Sequence, residues 1–460
     1  MRIRYSLLNI FSLMATTVAA ATFTPTTETK TQNEINASEF EQPAGIEMGI
    51  YVADILSGEV LADSRADEAF IPASVMKSIT AASVVTLFDP YTRFSTKVTA
   101  RGAINNEGVL EGDLVIRATG DPTLESSRFP DYTGICDSIA DGLRNAGIDS
   151  IAGSIVMDYS AMPDCGFPAG WLQSDRRYRY GAGHFPINWR DNTFTITTPE
   201  TVTVPEVPGL EVKYIKKRSG GIRYTFDPDA KTLTITGRIP NKGAQNSFGM
   251  PDPPSAMCLE VTRGLQARGI GVGLHSLPLQ DENIVVYDHH SPTLDEILMA
   301  MMYWSDNLIA ESMLRIVAPT ESRDVAAERE LALWRLKGAD TDGVKIIDGS
   351  GLSRNDRLTP LFIADVLQLM ALSPRGMTYA RLFPIAGKSG TVRNLLAGTK
   401  LAGKLALKSG TMTGVRCVAG YKIDNEGYPT HVVVVLTNSN KVSAARLNNS
   451  IEQALLKIFE

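Results

Sequence analysis

Hydrophobic and polar positions near the start of the chain follow a strand and then a helix pattern. Residues 46–52 and 59–62 are short strand-like runs around Ser57-Gly58, which predicts a β-hairpin. A helix is predicted over residues 74–87, because Pro72 and Ser74 are typical residues of a helix start.

After residue 290 the hydrophobic positions return to the period of amphipathic helices. The predicted helices cover residues 293–303, 308–317, 323–337, 361–372 and 442–459, and the predicted strands cover residues 401–407, 417–423 and 431–436. The two ends of the chain therefore carry similar elements. This indicates one discontinuous α/β domain, formed by residues 22–92 and 286–460.

The middle of the chain, residues 93–285, has denser turn residues and shorter elements. Strands are predicted over residues 96–100, 113–118, 151–158, 193–198 and 232–236, and helices over about residues 134–146 and 255–268. We interpret this region as an insertion that is mostly β or α+β, with two nested smaller domains, about residues 112–190 within it. The predicted fold class is a multidomain α/β (α+β) protein.

The first 21 residues have the layout of a secretory signal peptide. Arg2 and Arg4 precede an apolar run over residues 7–15, and small residues at 18–21 offer a cleavage site. A membrane anchor would need about 20 apolar residues, and this run is shorter and broken by polar residues. We therefore expect a periplasmic or other extracytoplasmic protein, with no transmembrane anchor after cleavage.

Composition restricts the function further. Of the 460 residues, 43% are hydrophobic and 21% are charged, as in soluble globular proteins. The formal net charge is −6 and no long basic run occurs, so no nucleic-acid partner is expected. The four cysteines contain no C-x-x-C pair, and neither a metal site nor a cofactor is predicted. In an oxidising compartment Cys136 and Cys165 could pair, whereas Cys417 lies in an apolar strand pattern and is expected to be buried.

Three short motifs occur in an order that indicates nucleophilic catalysis. They are Ser74-Val-Met-Lys77 at the predicted helix start, Ser305-Asp-Asn307 between two helices, and Lys408-Ser-Gly-Thr411 at a strand. Each motif alone is common and has an ordinary structural explanation. Ser74 could simply cap the helix, Lys77 could be a solvated charge, and the other two motifs could be turns. Their coincidence in one chain favours an active site.

The chemistry of the motifs suggests a role for each residue. A serine and a lysine three positions apart on a helix share one face, with Cβ atoms about 5–6 Å apart, so the Lys77 amine can reach the Ser74 hydroxyl. Lys77 can then be the general base that activates Ser74 as a nucleophile, provided its pKa falls. Burial and a second cation at Lys408 would both lower the pKa of Lys77, and Lys408 would also attract a substrate carboxylate.

The remaining motif residues would handle the leaving group and the substrate. Ser305 would relay a proton to the leaving amine, and Asn307 would hold the catalytic lysine and the substrate amide. The backbone N–H groups of the nucleophile and of Thr411 would form an oxyanion hole, with Ser409 and Gly410 in the same substrate-binding segment.

The order S-x-x-K, S-x-N and K-[ST]-G resembles the signature of penicillin-recognising serine enzymes, which include D,D-peptidases and serine β-lactamases. Nearly the whole mature chain is similar to one family among them, the D-alanyl-D-alanine carboxypeptidase/endopeptidase family of class C low-molecular-mass penicillin-binding proteins. The segments that carry this similarity are G-D-L at 112–114, G-D-P-T-L at 120–124, Y-G-A at 180–182, S-D-N-L-I-A-E at 305–311, D-G-S-G-L-S-R at 348–354 and P-I-A-G at 384–387.

The resemblance implies a penicillin-binding, transpeptidase-like or β-lactamase-like domain with a central antiparallel sheet and a helical lobe, and smaller domains inserted after the Ser74 helix. It implies a carboxypeptidase or an endopeptidase that acts on peptidoglycan stem peptides and is acylated by β-lactam antibiotics; a homodimer is left open. It also suggests that Asp158 meets the amine of a diaminopimelate side chain and that Arg354 lies at the cleft edge. For Asp158 the alternative is an ordinary carboxylate at a strand end.

The tetrapeptide Lys-Ser-Gly-Thr occurs at residues 388–391 as well as at 408–411. We choose Lys408, because only the second copy ends a strand-like run and precedes another strand.

Three other functions were considered. A β-lactamase of class A needs an E-x-x-x-N segment after the S-x-N, and none occurs between Ser305 and Lys408. A non-catalytic cell-wall scaffold is disfavoured by the three intact motifs. A metallopeptidase is disfavoured because no H-E-x-x-H occurs, and His289-His290 is expected in a surface loop.

Overall fold

The computed structural model describes residues 43–163, 166–198, 202–238, 243–278 and 282–459. The predicted signal peptide and Cys165 lie outside these residues, and Cys136 is a free, half-buried thiol. In chain order the strands are β1 (Glu47–Asp54), β2 (Val60–Ser64), β3 (Ser95–Ile104), β4 (Val109–Arg117), β5 (Ser150–Ile151), β6 (Ile155–Asp158), β7 (Thr193–Thr198), β8 (Val202–Val204), β9 (Glu211–Lys216), β10 (Arg223–Asp227), β11 (Thr232–Gly237), β12 (Ala244–Gly249), β13 (Gly271–Val272), β14 (Asn283–His290), β15 (Leu405–Met412), β16 (Val415–Ile423) and β17 (Pro429–Asn438). The α-helices are α1 (Met76–Leu87), α2 (Ile135–Asn145), α3 (Pro253–Ala267), α4 (Leu294–Trp304), α5 (Asn307–Arg315), α6 (Arg323–Leu336), α7 (Pro360–Ala371), α8 (Gly376–Ala380) and α9 (Ala444–Phe459).

Strands from both ends of the chain form one antiparallel sheet in the order β15-β16-β17-β1-β2. Successive residues of a strand point to opposite faces, so an apolar run such as residues 432–436 of β17 can be buried on both sides. Val432 and Val434 enter the core with helices α1 and α4 to α8, while Val433 and Val435 enter a second core with α9. The mixed α/β fold and the central antiparallel sheet predicted from the sequence are confirmed.

The region between α1 and α4 forms its own sheets. One has the order β13-β5-β4-β3-β14, with β6 beside β4, and helices α2 and α3 pack on it through a separate core. Two three-stranded sheets, β12-β7-β8 and β10-β11-β9, share a further core with several aromatic rings. Strand β14 pairs with β3 as far as His290, so the predicted boundary at residues 285–286 falls inside a strand.

Most predicted elements are present, and three predictions are wrong in detail. Residues 401–404 form turns, so the strand starts at Leu405. The run 151–158 is two strands, and Gly153 lies between them against the Gly112 carbonyl, where a Cβ atom would come within 2.4 Å. His289 and His290 lie on β14 rather than in a loop, and His289 is buried.

Cys417 is buried on β16, as predicted. Within the described part of the chain, no helix combines the length and apolar character needed to cross a membrane. The same residues contain no group of three or more His, Cys, Asp and Glu side chains that could bind a metal ion.

Candidate active site

Ser74 lies in a short 3-10 turn, Ala73–Val75, that leads directly into α1. Its side chain does not cap the helix, so the interpretation of Ser74 as only an N-cap is wrong. Ala73 has a φ of 47°, a left-handed conformation that costs a residue with a Cβ atom roughly 1–2 kcal/mol. The Ala73 carbonyl packs on Gly351, where a Cβ atom would come within 1.9 Å, so the turn before the nucleophile is held from outside the helix.

Lys77 is fully buried one turn further along α1, and it is not a solvated lysine. Its amine donates to Ser74 Oγ at 3.0 Å, to Asn307 Oδ1 at 2.6 Å and to the Ser350 carbonyl at 2.7 Å. Burial lowers the pKa of Lys77 to about 8, although the nearby Asp348 carboxylate acts in the opposite direction. With that pKa, about one amine in ten is neutral at pH 7 and able to accept the Ser74 proton.

Ser305 ends α4 in a left-handed conformation, with a φ of 58°. The Lys408 amine donates to Ser305 Oγ at 2.8 Å and to the Ser409 carbonyl at 2.8 Å. Lys408 is fully buried, and burial together with repulsion from the Lys77 charge moves its pKa well below the usual range. Burial and a second cation at Lys408 were both expected to lower the pKa of Lys77, and burial is the main cause at both amines.

The S-D-N motif is held by residues of the inserted region. Asn307 Nδ2 donates to the Tyr180 carbonyl at 2.7 Å, which turns the amide oxygen of Asn307 toward the lysine. Asp306 accepts from Arg128 Nε at 2.8 Å, and the Arg128 guanidinium lies 5.3 Å from the centre of the Trp304 ring. Trp304 and Asp306, the two neighbours of Ser305 in the chain, are therefore both in contact with Arg128.

A cavity of about 300 Å³ opens at the nucleophile. It brings together five residues that the sequence predicted, namely Ser74, Ser305, Asn307, Arg354 and Thr411. Its other lining residues are Leu172, Asp175, Tyr180, Gly351, Leu352, Met412 and Thr413. The side chains of Lys77 and Lys408 lie buried beside it.

The residues after Lys408 lie in the second half of the edge strand β15, beside this cavity. Ser409 Oγ donates to Thr391 Oγ1 at 2.7 Å, and the exposed Thr411 reaches the cavity. Gly410 packs against the chain just before the nucleophile, since a Cβ atom there would come within 2.5 Å of the Pro72 carbonyl. The oxyanion hole proposed for the Thr411 N–H stays a prediction.

Asp158 is not among the described residues that line the cavity. It is the last residue of β6, and Oδ1 accepts the Ser160 N–H at 2.9 Å, a hydrogen bond that lowers the pKa of Asp158. The carboxylate that does line the cavity is Asp175, which accepts from the Tyr180 hydroxyl at 3.0 Å. The sequence analysis missed Asp175, although it lies only five positions before the Y-G-A segment.

The chain matches the profile of the D-Ala-D-Ala carboxypeptidase 3 (S13) family over residues 32–457. It is 28% identical over 439 residues to a D-alanyl-D-alanine carboxypeptidase from Actinomadura sp. (strain R39), an alignment that covers 87% of this chain and 79% of that protein. It is 26% identical over 455 residues to the D-alanyl-D-alanine carboxypeptidase DacB of Haemophilus influenzae, with 93% of this chain and 92% of that protein covered.

A solved structure has the same fold. The crystal structure of penicillin binding protein 4 (dacB) from Haemophilus influenzae matches with a TM-score of 0.77 at 24% identity, covering 93% of this chain and 100% of that chain. The inserted regions are included in this match, because the coverage spans nearly all of both chains.

Proposed function

Since this chain belongs to the D-Ala-D-Ala carboxypeptidase 3 (S13) family, we propose that Ser74 is the nucleophile with which it cleaves D-Ala-D-Ala peptides of the cell wall. The observation that carries the proposal is the buried Lys77 amine, 3.0 Å from Ser74 Oγ, with a pKa lowered to about 8. A lysine with a pKa near neutrality is a competent general base for a serine hydroxyl.

In the acylation step, neutral Lys77 accepts the hydroxyl proton of Ser74, and Oγ bonds to the carbonyl carbon of the penultimate D-Ala. The C–N bond to the terminal D-Ala then breaks. The Ser305 hydroxyl, which accepts a hydrogen bond from the Lys408 amine at 2.8 Å, gives its proton to the leaving nitrogen. It receives in return the proton that Lys77 took from Ser74, so that Lys77 is neutral again. Water hydrolyses the ester in the second step, with Lys77 again accepting a proton.

The cavity carries groups of opposite charge for the rest of the substrate. Asp175 and Arg354 both line it, and they suit a side chain that has an ammonium and a carboxylate, such as that of diaminopimelate. We therefore assign to Asp175 the role that the sequence analysis gave to Asp158, and retain Arg354. A site for this side chain fits both a carboxypeptidase and an endopeptidase that cuts D-Ala–diaminopimelate cross-links.

The proposal includes acylation by β-lactams, which present an amide carbonyl to the same nucleophile. The penicillin binding protein 4 of Haemophilus influenzae has been crystallised with a β-lactam. Peptidoglycan lies outside the cytoplasm, so the proposed substrate agrees with the export that the first 21 residues predict. The signal peptide and a homodimer stay predictions.

Labelling with a fluorescent penicillin tests the nucleophile. The wild-type protein is expected to form a covalent adduct, and S74A is expected to form none. S78A is a matched control, because Ser78 lies one turn further along, in α1, and its hydroxyl donates to the Val75 carbonyl at 2.7 Å. An adduct on S74A would refute the assignment of Ser74.

Two further outcomes separate the alternatives. A wild-type protein that forms no adduct would favour a scaffold, and rapid release of hydrolysed penicillin would favour a β-lactamase. Incubation with cross-linked muropeptides then distinguishes D-Ala release from the loss of dimers, and so measures the balance between the two peptidase activities.

A further inference from the structure

The indole of Trp171 connects the inserted region to the loop that contacts Lys77. Trp171 Nε1 donates to Asp348 Oδ2 at 2.6 Å, and both side chains are buried. Trp171 lies between β6 and β7, far along the chain from Asp348, which follows α6. An indole–carboxylate bond of this kind, removed from water, is among the stronger hydrogen bonds in proteins.

Asp348 organises the loop that follows it. Its Oδ1 accepts the N–H groups of Ser350 at 3.1 Å and Gly351 at 2.5 Å, and its Oδ2 accepts the N–H of Ser353 at 2.7 Å. One carboxylate thus fixes three peptide groups, and the indole N–H is the fourth donor that fixes the carboxylate itself.

The loop contacts Lys77 and also Ala73, the residue before Ser74. The Ser350 carbonyl accepts from the Lys77 amine at 2.7 Å. Gly351 packs on the Ala73 carbonyl so closely that a Cβ atom would come within 1.9 Å of it. A displacement of this loop would therefore move the acceptor of Lys77 and the residue that precedes Ser74 together.

We propose that Trp171 is a positioning residue for the acylation of Ser74: it holds Asp348, and Asp348 holds the loop whose Ser350 carbonyl orients the Lys77 amine. The inference rests on the proposed function. Trp171 would give the inserted region a role in the acylation of Ser74, in addition to lining the cavity.

A matched control exists within the inserted region. Trp189 is also buried, and its Nε1 donates to the Glu260 carboxylate at 2.7 Å, but it packs in the core of α2 and α3. W171F and W189F each remove one hydrogen bond from a buried indole to a carboxylate while keeping an aromatic ring. A purely structural role predicts similar consequences for both variants.

The experiment measures β-lactam acylation by stopped flow, separating the binding constant of the first complex from the first-order acylation rate. W171F is expected to lower the acylation rate at least about 10-fold, because small displacements of reacting groups cost orders of magnitude, with little change in the binding constant. W189F is expected to stay within about 2-fold of the wild type in both quantities, since it lies away from the loop.

The pH dependence of the acylation rate gives a second readout. The Ser350 carbonyl stabilises the charged amine, so its displacement should lower the pKa of Lys77 and move the acid limb of the profile to lower pH in W171F alone. The carboxylates that also act on Lys77 remain in place in both variants: Asp306, Glu311, Asp348 and Asp356.

Equal acylation by W171F and the wild type, or equal losses in W171F and W189F, would overturn the inference. If W171F does not fold, W171H carries the test, because it keeps a ring N–H donor; a rate within about 3-fold of the wild type is expected, and a loss of 10-fold or more contradicts the proposal. Absence of any wild-type adduct would instead refute the proposed function itself.

Discussion

The tetrapeptide Lys-Ser-Gly-Thr occurs twice, and the two copies have different structures. At residues 408–411 it lies within β15, and Lys408 is fully buried with its amine bonded to Ser305 Oγ. At residues 388–391 it lies in turns that end in a short 3-10 helix, and Lys388 is exposed. The same tetrapeptide therefore has two different environments, and the residues that flank each copy determine its environment.

The two copies lie beside different parts of the same edge of the central sheet. β15 is an edge strand, and the segment just before the first copy covers its beginning: Ala386 N–H donates to the Leu405 carbonyl at 2.8 Å and Leu407 N–H to the Pro384 carbonyl at 2.9 Å. Further along the same edge, Thr411 lines the cavity. An uncovered strand edge can pair with an extended peptide, so we infer that the segment leading into the first copy closes the start of the edge and that the second copy offers the rest to substrate.

The largest difference between the copies is expected from their lysines. K408A removes the amine that contacts Ser305, and we expect acylation by a β-lactam to fall about 100- to 1,000-fold, the usual cost of removing a group that stabilises a transition state. K388A removes an exposed side chain and should change the rate by less than about 2-fold. Pre-steady-state labelling with a fluorescent penicillin measures both.

This prediction is contradicted by a large loss in K388A, or by near-normal acylation in K408A. Near-normal acylation in K408A would mean that the burial of Lys408 reflects packing rather than catalysis, and a large loss in K388A would mean that the first copy takes part in acylation. Thermal unfolding of both variants serves as the control, since removal of a buried lysine can also change stability.

Substitution of the glycines should affect different properties in the two copies, the acylation rate for Gly410 and the stability for Gly390. A Cβ atom on Gly410 would come within 2.5 Å of the Pro72 carbonyl, next to the Ser74 turn, so G410A should slow acylation about 10- to 100-fold. Gly390 has a φ of 55° and lies against Pro384, so G390A should mainly cost stability, about 2–4 °C in Tm. Acylation rates and thermal unfolding of both variants check this, and the reverse assignment of effects would contradict it.

The fold and the chemical class could be predicted from the sequence because their signals are local. The period of hydrophobic residues gave the helices of the catalytic domain within a few residues, and three motifs indicated a serine enzyme. The exception is instructive: residues 401–404 continue an apolar pattern but form turns, since Gly403 has a φ of 85° and the backbone reverses before Leu405. A periodic pattern does not report a turn of this kind.

Parts of the site could not be predicted because they depend on backbone atoms brought from afar. The carbonyls of Ser350 and Tyr180 hold Lys77 and Asn307, yet every residue has a carbonyl group, so no side-chain pattern marks these two. Asp175, the carboxylate that lines the cavity, was missed for a similar reason, while Asp158 was singled out at a strand end. A strand-end position is visible in the sequence, whereas the path that brings Asp175 to the cleft is a long irregular segment.

The lysines should also differ in their effect on the pH dependence of acylation. Acylation needs neutral Lys77, so the wild-type rate should rise with pH through a midpoint near the Lys77 pKa of about 8. The Lys77 charge lowers the pKa of Lys408, and such repulsion between two buried amines is mutual. K408Q should therefore raise the pKa of Lys77 and move the acid limb to higher pH.

K388Q is the matched control for this shift. Its charge is exposed to water and screened, so its acid limb should coincide with that of the wild type. A limb that stays in place in K408Q, or moves to lower pH, would mean that the Lys408 charge does not act on Lys77.

Smaller effects than that of Lys408 are expected from the threonines that end the two copies. The Thr391 hydroxyl accepts one exposed hydrogen bond from Ser409 Oγ at 2.7 Å, and T391V should cost at most about 1 kcal/mol, or roughly 5-fold in kcat/KM. Thr411 lines the cavity where the substrate carboxylate is proposed to bind, and a hydrogen bond to a charged group contributes about 1.5–3 kcal/mol, so T411V should lose about 10- to 100-fold. Peptidase assays with a D-Ala-D-Ala peptide measure both variants. If T391V is the more damaging one, the first copy takes part in substrate binding, and the division of the β15 edge between the two copies is wrong.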